Sequence, residues 1–121
     1  MVDKKRKPKN NLEQRIQNQI KKVLALKGYT VFRANAGTIV SQSGTYFKGL
    51  PSGFPDLFGF TKEGRMFFIE VKTPKASSKL RDSQKMFAKK YLEKSNCIYG
   101  VARSVAEALE IVEGELQGYG Y

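Results

Sequence analysis

An α/β fold, a mixed sheet flanked by helices, is what this sequence predicts, and three observations carry the prediction. Two runs of β-type residues, 53–60 and 65–72, are joined by Thr61-Lys62-Glu63-Gly64 and read as a hairpin. Both runs are apolar on both faces, with Phe58, Phe60, Met66 and Phe68 on one and Leu57, Phe67, Ile69 and Val71 on the other. Strands of that kind lie inside a sheet covered on both sides. Segments of helical period precede and follow the pair, so that the order is helix, strand, small hairpin, strand, strand, helix, strand, helix.

Residues 1–11 form a basic arm with Lys4, Lys5, Arg6, Lys7 and Lys9 around Pro8. Such an arm is flexible and either lies along phosphates or is simply a solvated tail. Asn11 can cap a helix beginning near Leu12, and Leu12, Ile16, Ile20, Val23, Leu24 and Leu26 give it one broad apolar face. Lys27 suits the negative end of the helix dipole and Gly28 closes the helix. Glu13 points along the packing face, so it is either an inward acid able to reach a metal or an acid at a frayed helix start. A strand over 29–35 comes next, then a short polar hairpin around Gln42-Ser43-Gly44, outside the core sheet. Gly53 either lets the backbone approach a phosphate or answers a turn requirement.

After the central hairpin, 73–79 reads as a flexible basic connection whose Lys75 and Lys79 lie where a DNA strand would pass, or as a solvated loop. Residues 80–95 then form a helix with Leu80, Gln84, Phe87, Ala88, Tyr91 and Leu92 on one face. Gln84 is the polar exception on that face, a boundary residue or one that reaches the site. Residues 97–102 form a strand, and Ser104 with Glu107 makes a capping box for a helix through Val112. A single domain over 12–113 results, with a loose glycine-rich tail over 114–121.

The central hairpin also carries the chemistry. A three-residue loop, Lys62-Glu63-Gly64, with a left-handed glycine pairs Phe60 with Met66, Phe58 with Phe68, and Asp56 with Glu70. Lys72 shares the face of Glu70, about 7 Å further along. Two carboxylates placed opposite each other repel. A divalent ion that prefers oxygen ligands, such as magnesium, reverses the sign of that interaction. The constellation therefore reads as a metal-dependent phosphodiesterase site, at positions where the strand pattern asks for apolar residues.

Composition narrows the choice further. Lys and Arg number 22 against 11 Asp and Glu, a formal net charge of +11, so the natural partner is a polyanion and nucleic acid comes first. The absence of histidine excludes Ser-His-Asp and Cys-His hydrolases, zinc sites built on histidine, and nucleases with a histidine base. Cys97, the only cysteine, rules out an internal disulfide and reads as a small core residue. No apolar run approaches the ~20 residues of a spanning helix, so an intracellular protein without membrane contact is expected.

Pro55-Asp56, thirteen further residues, and then Glu70-Val71-Lys72 resemble the PD-(D/E)XK nuclease signature. Together with Glu13, Arg33-Ala34-Asn35-Ala36-Gly37, Gly53-Phe54-Pro55-Asp56-Leu57 and Ser83-Gln84, the string is similar to the virus-type replication–repair nuclease (VRR-NUC) family over roughly residues 12–112. The resemblance implies a restriction-endonuclease-like core and an intracellular, phage-type nuclease acting in a host cell, bacterial in that case. It implies that Asp56, Glu70 and the main-chain carbonyl of Val71 bind Mg²⁺ or Mn²⁺, with Glu13 approaching directly or through water. Lys72 would orient or deprotonate the attacking water, and Gln84 would support the site from the helix behind it. Arg33 and Asn35 fall among the DNA contacts. By the same analogy the protein is a homodimer cutting branched DNA such as a four-way junction. The rival expectations are a nuclease-fold protein that only binds DNA, and a basic structural or RNA-binding protein in which Glu70 and Lys72 are a surface ion pair.

Overall fold

The computed structural model describes residues 11–34 and 38–121. Helix α1, Asn11–Leu26, leads into strand β1, Thr30–Arg33. Strands β2, Thr38–Val40, and β3, Tyr46–Lys48, form a separate two-stranded sheet, the predicted small hairpin. Strands β4, Leu57–Phe60, and β5, Met66–Val71, are followed by helix α2, Asp82–Phe87, and then β6, Ile98–Ala102, α3, Val105–Glu113, and β7, Gln117–Tyr119. The main sheet has the order β1-β4-β5-β6-β7, antiparallel through β5 and parallel from β5 to β7.

The C-terminal end of α1 follows from its sequence, whereas Asn11, expected to cap the helix, is already its first residue. Gly28 takes a left-handed φ of 95°, and its N–H reaches the Ala25 carbonyl at 3.0 Å while that of Tyr29 reaches Leu24 at 3.1 Å. These two bonds are a Schellman ending. Ile16, Ile20 and Leu24 are buried as predicted, but Leu12 and Leu26 are exposed because they lie at the edges of a stripe that only its centre packs. Between β4 and β5, Gly64 has φ 88° and the Thr61 N–H meets the Arg65 carbonyl at 2.9 Å. The predicted register follows, Phe60 with Met66 and Phe58 with Phe68.

One face of the sheet packs on α1 and α3, joining Leu57, Phe67, Ile69, Val71 and Ile98 to Ile16, Ile20, Leu24, Ala108 and Ile111. On the other face Phe87, Ala88 and Leu92 cover Cys97 and Tyr99, with Phe54 and Phe68 against them. That second cover is partial. Phe60 and Met66, the pair nearest the β4–β5 loop, remain 38% and 39% exposed.

Three local expectations are corrected. The helix predicted over 80–95 starts at Asp82 and ends in a π-helical turn, Ala88–Leu92, where the Glu93 N–H reaches back five residues to Ala88 at 2.8 Å. The connection 73–79 is not loose: the Arg103 guanidinium donates to the Thr73 and Ser78 carbonyls at 2.5 and 2.8 Å, and the Thr73 N–H donates to Ser78 Oγ at 2.9 Å. The segment after Gly114, expected to be a loose tail, supplies β7, whose pairing with β6 completes the sheet. The Ser104 cap stands, its Oγ accepting the Glu107 N–H at 3.1 Å, although the Glu107 carboxylate bonds the Arg103 N–H at 2.7 Å instead of the capping residue's own.

Candidate active site

Asp56 stands immediately ahead of β4, and its place is fixed twice. Its carbonyl accepts the Ala34 N–H at 2.9 Å, and its Oδ2 accepts the Val71 N–H at 2.8 Å. The turn before it explains the local path. Gly53 has φ 88°, and a Cβ built on it would lie 2.1 Å from the Ser83 carbonyl oxygen. Only glycine lets this turn close onto the start of α2, so its requirement is protein packing.

Glu70, one residue from the end of β5, is completely buried. Gln84 of α2 donates from Nε2 to Glu70 Oε2 at 2.8 Å, while its own Oε1 accepts the Arg81 N–H at 2.8 Å. The polar residue on the packing face of α2 therefore reaches the acid directly. The other carboxylate oxygen, Glu70 Oε1, is buried without a donor. A second carboxylate, Asp56, lies beside it, and the two can share a hydrogen bond only if one of them carries a proton. Burial, first, and then the Asp56 charge hold the Glu70 carboxyl well above the usual carboxylate range. Lys72 acts in the opposite sense.

Lys72 is itself buried, its N–H bonded to the Ala102 carbonyl at 3.1 Å. It forms no ion pair among the described residues, where the pairs are Lys27–Glu113 and Arg65–Glu115. Its charge is felt by Glu70 and also by Glu13. Glu13, half-buried in the first turn of α1, is pushed up by burial and then by Asp56, and pulled down by Lys72 and Arg81. The inward direction read from helical phase is thus the one it takes. Among the described residues, however, no three His, Cys, Asp or Glu side chains are gathered closely enough to hold an ion together. The close acid pair is Asp56 with Glu70, and Glu13 stands off from it.

The remaining expected residues are more scattered. Arg33, Lys75 and Lys79 are exposed. Lys4, Lys5, Arg6, Lys7, Lys9 and Asn35 lie outside the described residues. Sequence reasoning missed Arg103, which ties down the loop leaving Lys72, and Tyr121, whose hydroxyl feels the Glu70 and Asp56 charges. The alternation of glycine and tyrosine in Gly118-Tyr119-Gly120-Tyr121 was the available signal for the latter.

Comparison with known proteins bears on the family and the fold. The profile of the VRR-NUC domain matches residues 3–106. A solved structure described as a VRR_NUC domain superposes with a TM-score of 0.58 at 22% identity, covering 84% of this chain and 94% of its own. No curated protein matches.

Proposed function

The chain belongs to the VRR-NUC domain family, and on that premise we propose that it is a metal-dependent endonuclease hydrolysing DNA phosphodiester bonds. One observation carries the reading: a fully buried Glu70, with one oxygen lacking any donor, sits beside a second carboxylate at the end of the sheet. A fold gains nothing from such a pair. Burying an unpaired carboxylate is costly, and a DNA-binding surface has no use for acids facing a phosphate.

The donor set fits a magnesium or manganese ion, since such hard cations take carboxylate, carbonyl and water oxygens. Asp56, Glu70 and the Val71 carbonyl would hold it, with Glu13 acting through water. When bound, the ion acidifies a water and offsets charge on the phosphate undergoing attack. The protein's own groups do the rest. Lys72 keeps a fixed positive charge at the scissile phosphate and orients the attacking water. Gln84 locks Glu70 in one rotamer, so that no reorganisation is needed during the reaction. Arg33, Lys75 and Lys79, and the basic arm beyond the described residues, bind backbone phosphates. Selectivity for branched DNA such as a four-way junction, and a homodimer that pairs two cuts, extend the reading by analogy with phage-type members of the family.

The test incubates the protein with labelled duplex, flap, single-stranded and four-way-junction DNA in magnesium, manganese or EDTA. Metal-dependent cutting is expected, abolished in Asp56→Asn and Lys72→Ala while binding survives. Equal cutting by wild type and Lys72→Ala overturns the assignment. Salt-sensitive binding without cleavage on any substrate favours a non-catalytic DNA-binding module. Light scattering that finds a monomer at micromolar concentration removes the paired-cut extension.

A further inference from the structure

We infer that Tyr121 is a positioning residue for Glu70: its ring, placed by β7 and the glycine turn beyond it, walls off the buried acid on the β6 side and backs the helix that carries Gln84. The place of the ring is argued from strand register, the glycine turn and the ring contact, and its consequence for metal binding rests on the nuclease reading above.

The parallel register places Val101 beside Glu70 and Tyr99 beside Phe68, so these side chains share the α2 face of the sheet. Strand β7 runs along β6 with an irregularity at Tyr99/Gly100, and two left-handed glycines then redirect the chain, Gly118 at φ 86° and Gly120 at φ 78°. The Tyr121 N–H closes the turn on the Gly118 carbonyl at 3.1 Å. Gly120 lies directly on Val101, so closely that a Cβ there would sit 2.9 Å from that of the valine. The chain thus crosses over the residue next to Glu70 and drops the Tyr121 ring onto Tyr99, with centroids 5.5 Å apart at 58°. Tyr99 and Tyr121 line a cavity of about 320 Å³ with Leu80, Lys85 and Ala88, and Ala88 lies one turn beyond Gln84 on the same helical segment.

Tyr121 is 38% exposed. The hydroxyl is pushed up by burial, then by the Glu70 and Asp56 charges. What Tyr121 contributes is a ring that keeps water from the β6 side of Glu70, so that the Gln84 amide remains the carboxylate's donor.

Side-chain amide exchange of Gln84, followed by NMR on the metal-free protein, tests this without reference to activity. Tyr121→Ala is expected to speed exchange by about tenfold or more, and Tyr121→Phe to restore protection. Tyr121→Leu replaces the alanine variant if that fails to fold, as judged by circular dichroism. Wild-type protection in the alanine or leucine variant overturns the proposal. Loss in Tyr121→Phe equal to that in Tyr121→Ala also overturns it, because the hydroxyl would then be the active part. Calorimetric titration with Mn²⁺ follows, with weaker binding expected for Tyr121→Ala than for wild type and Tyr121→Phe; equal binding by all three removes the functional consequence. If wild type itself binds no Mn²⁺, the nuclease reading fails while the amide measurement still decides the place of Tyr121.

Discussion

The two faces of the sheet are made by the same strands and carry opposite tasks. Toward α1 and α3, β4 and β5 present Leu57, Phe67, Ile69 and Val71, all completely buried in one apolar cluster. Toward α2 the intervening positions present Phe58, Phe68 and Glu70, with Asp56 just before β4 and Lys72 just after β5. Alternation along a strand allows this division, because each step of one residue changes face. The first face supplies the apolar burial that offsets chain entropy. The second gives up part of that burial at its carboxyl-terminal end, where acids and an amine replace the expected apolar side chains. The difference teaches that stability and the proposed chemistry divide here by residue parity, and substitutions on neighbouring residues can test the separation.

The largest expected effects form such a pair. Glu70→Gln should lower cleavage by roughly a thousandfold or more, since it removes a charged donor from the site. The fold should survive, and the metal-free melting temperature should stay level or rise, because an isosteric amide replaces a buried carboxylate. Phe67→Ala, three residues away on the other face, should cost about 3–5 kcal/mol of stability. Urea denaturation reads that loss, a large share of the roughly 5–15 kcal/mol that a domain possesses. If Glu70→Gln unfolds the protein while Phe67→Ala leaves its stability intact, the division of tasks between faces is wrong.

A smaller effect sharpens the same contrast through pH. The folded Glu70 carboxyl titrates above its unfolded value, chiefly through burial and then through Asp56. Above the unfolded pKa of about 4.5 the unfolded chain therefore releases a proton that the native state keeps. The stability associated with Glu70 is fully present below that pH and is lost as pH rises toward the folded pKa. In EDTA, the wild type should lose stability relative to Glu70→Gln as pH is raised from 4.5 to 8, a comparison that cancels the effect of the other charges. Manganese should reverse the trend by binding the ionised pair. Parallel curves for wild type and variant would mean that Glu70 titrates normally.

Much of this was legible in the residues. The register of β4 with β5 followed from one glycine in a three-residue loop, and with it the pairing side of Asp56 and Glu70. The direction of Glu13 followed from helical phase, and Gln84 stood out as the polar residue on an apolar face. What stayed hidden depended on contacts distant in sequence. Nothing near Thr73 announces that Arg103 will bond its carbonyl, since the guanidinium arrives from beyond β6. Strand β7 is short and glycine-rich, and it exists because β6 offers an open edge for parallel pairing. The place of Tyr121 depends in turn on that pairing and on the turn after it. Likewise the partial cover over Phe60 and Met66 is a tertiary outcome that strand patterning does not encode.

The smallest expected effect concerns the loop between the two tasks. Arg103 holds the carbonyls of Thr73 and Ser78, so Lys75 and Lys79 project from a fixed backbone beside the site while remaining exposed. Lysines placed in this way are suited to neutralising phosphates without reading bases. Removing one should reduce the salt dependence of duplex binding by about one unit of log–log slope and weaken binding about equally across sequences. Cleavage at saturating DNA should change little, because neither residue belongs to the acid pair. Fluorescence anisotropy of Lys75→Ala and Lys79→Ala over a salt series measures the slope. An unchanged slope in both variants would place the DNA path elsewhere and leave the loop as a clamp on Lys72 alone. A reduced slope with intact cleavage would extend the separation of tasks from the sheet to the surface, with grip on the strand carried by the loop and chemistry by the acids beneath it.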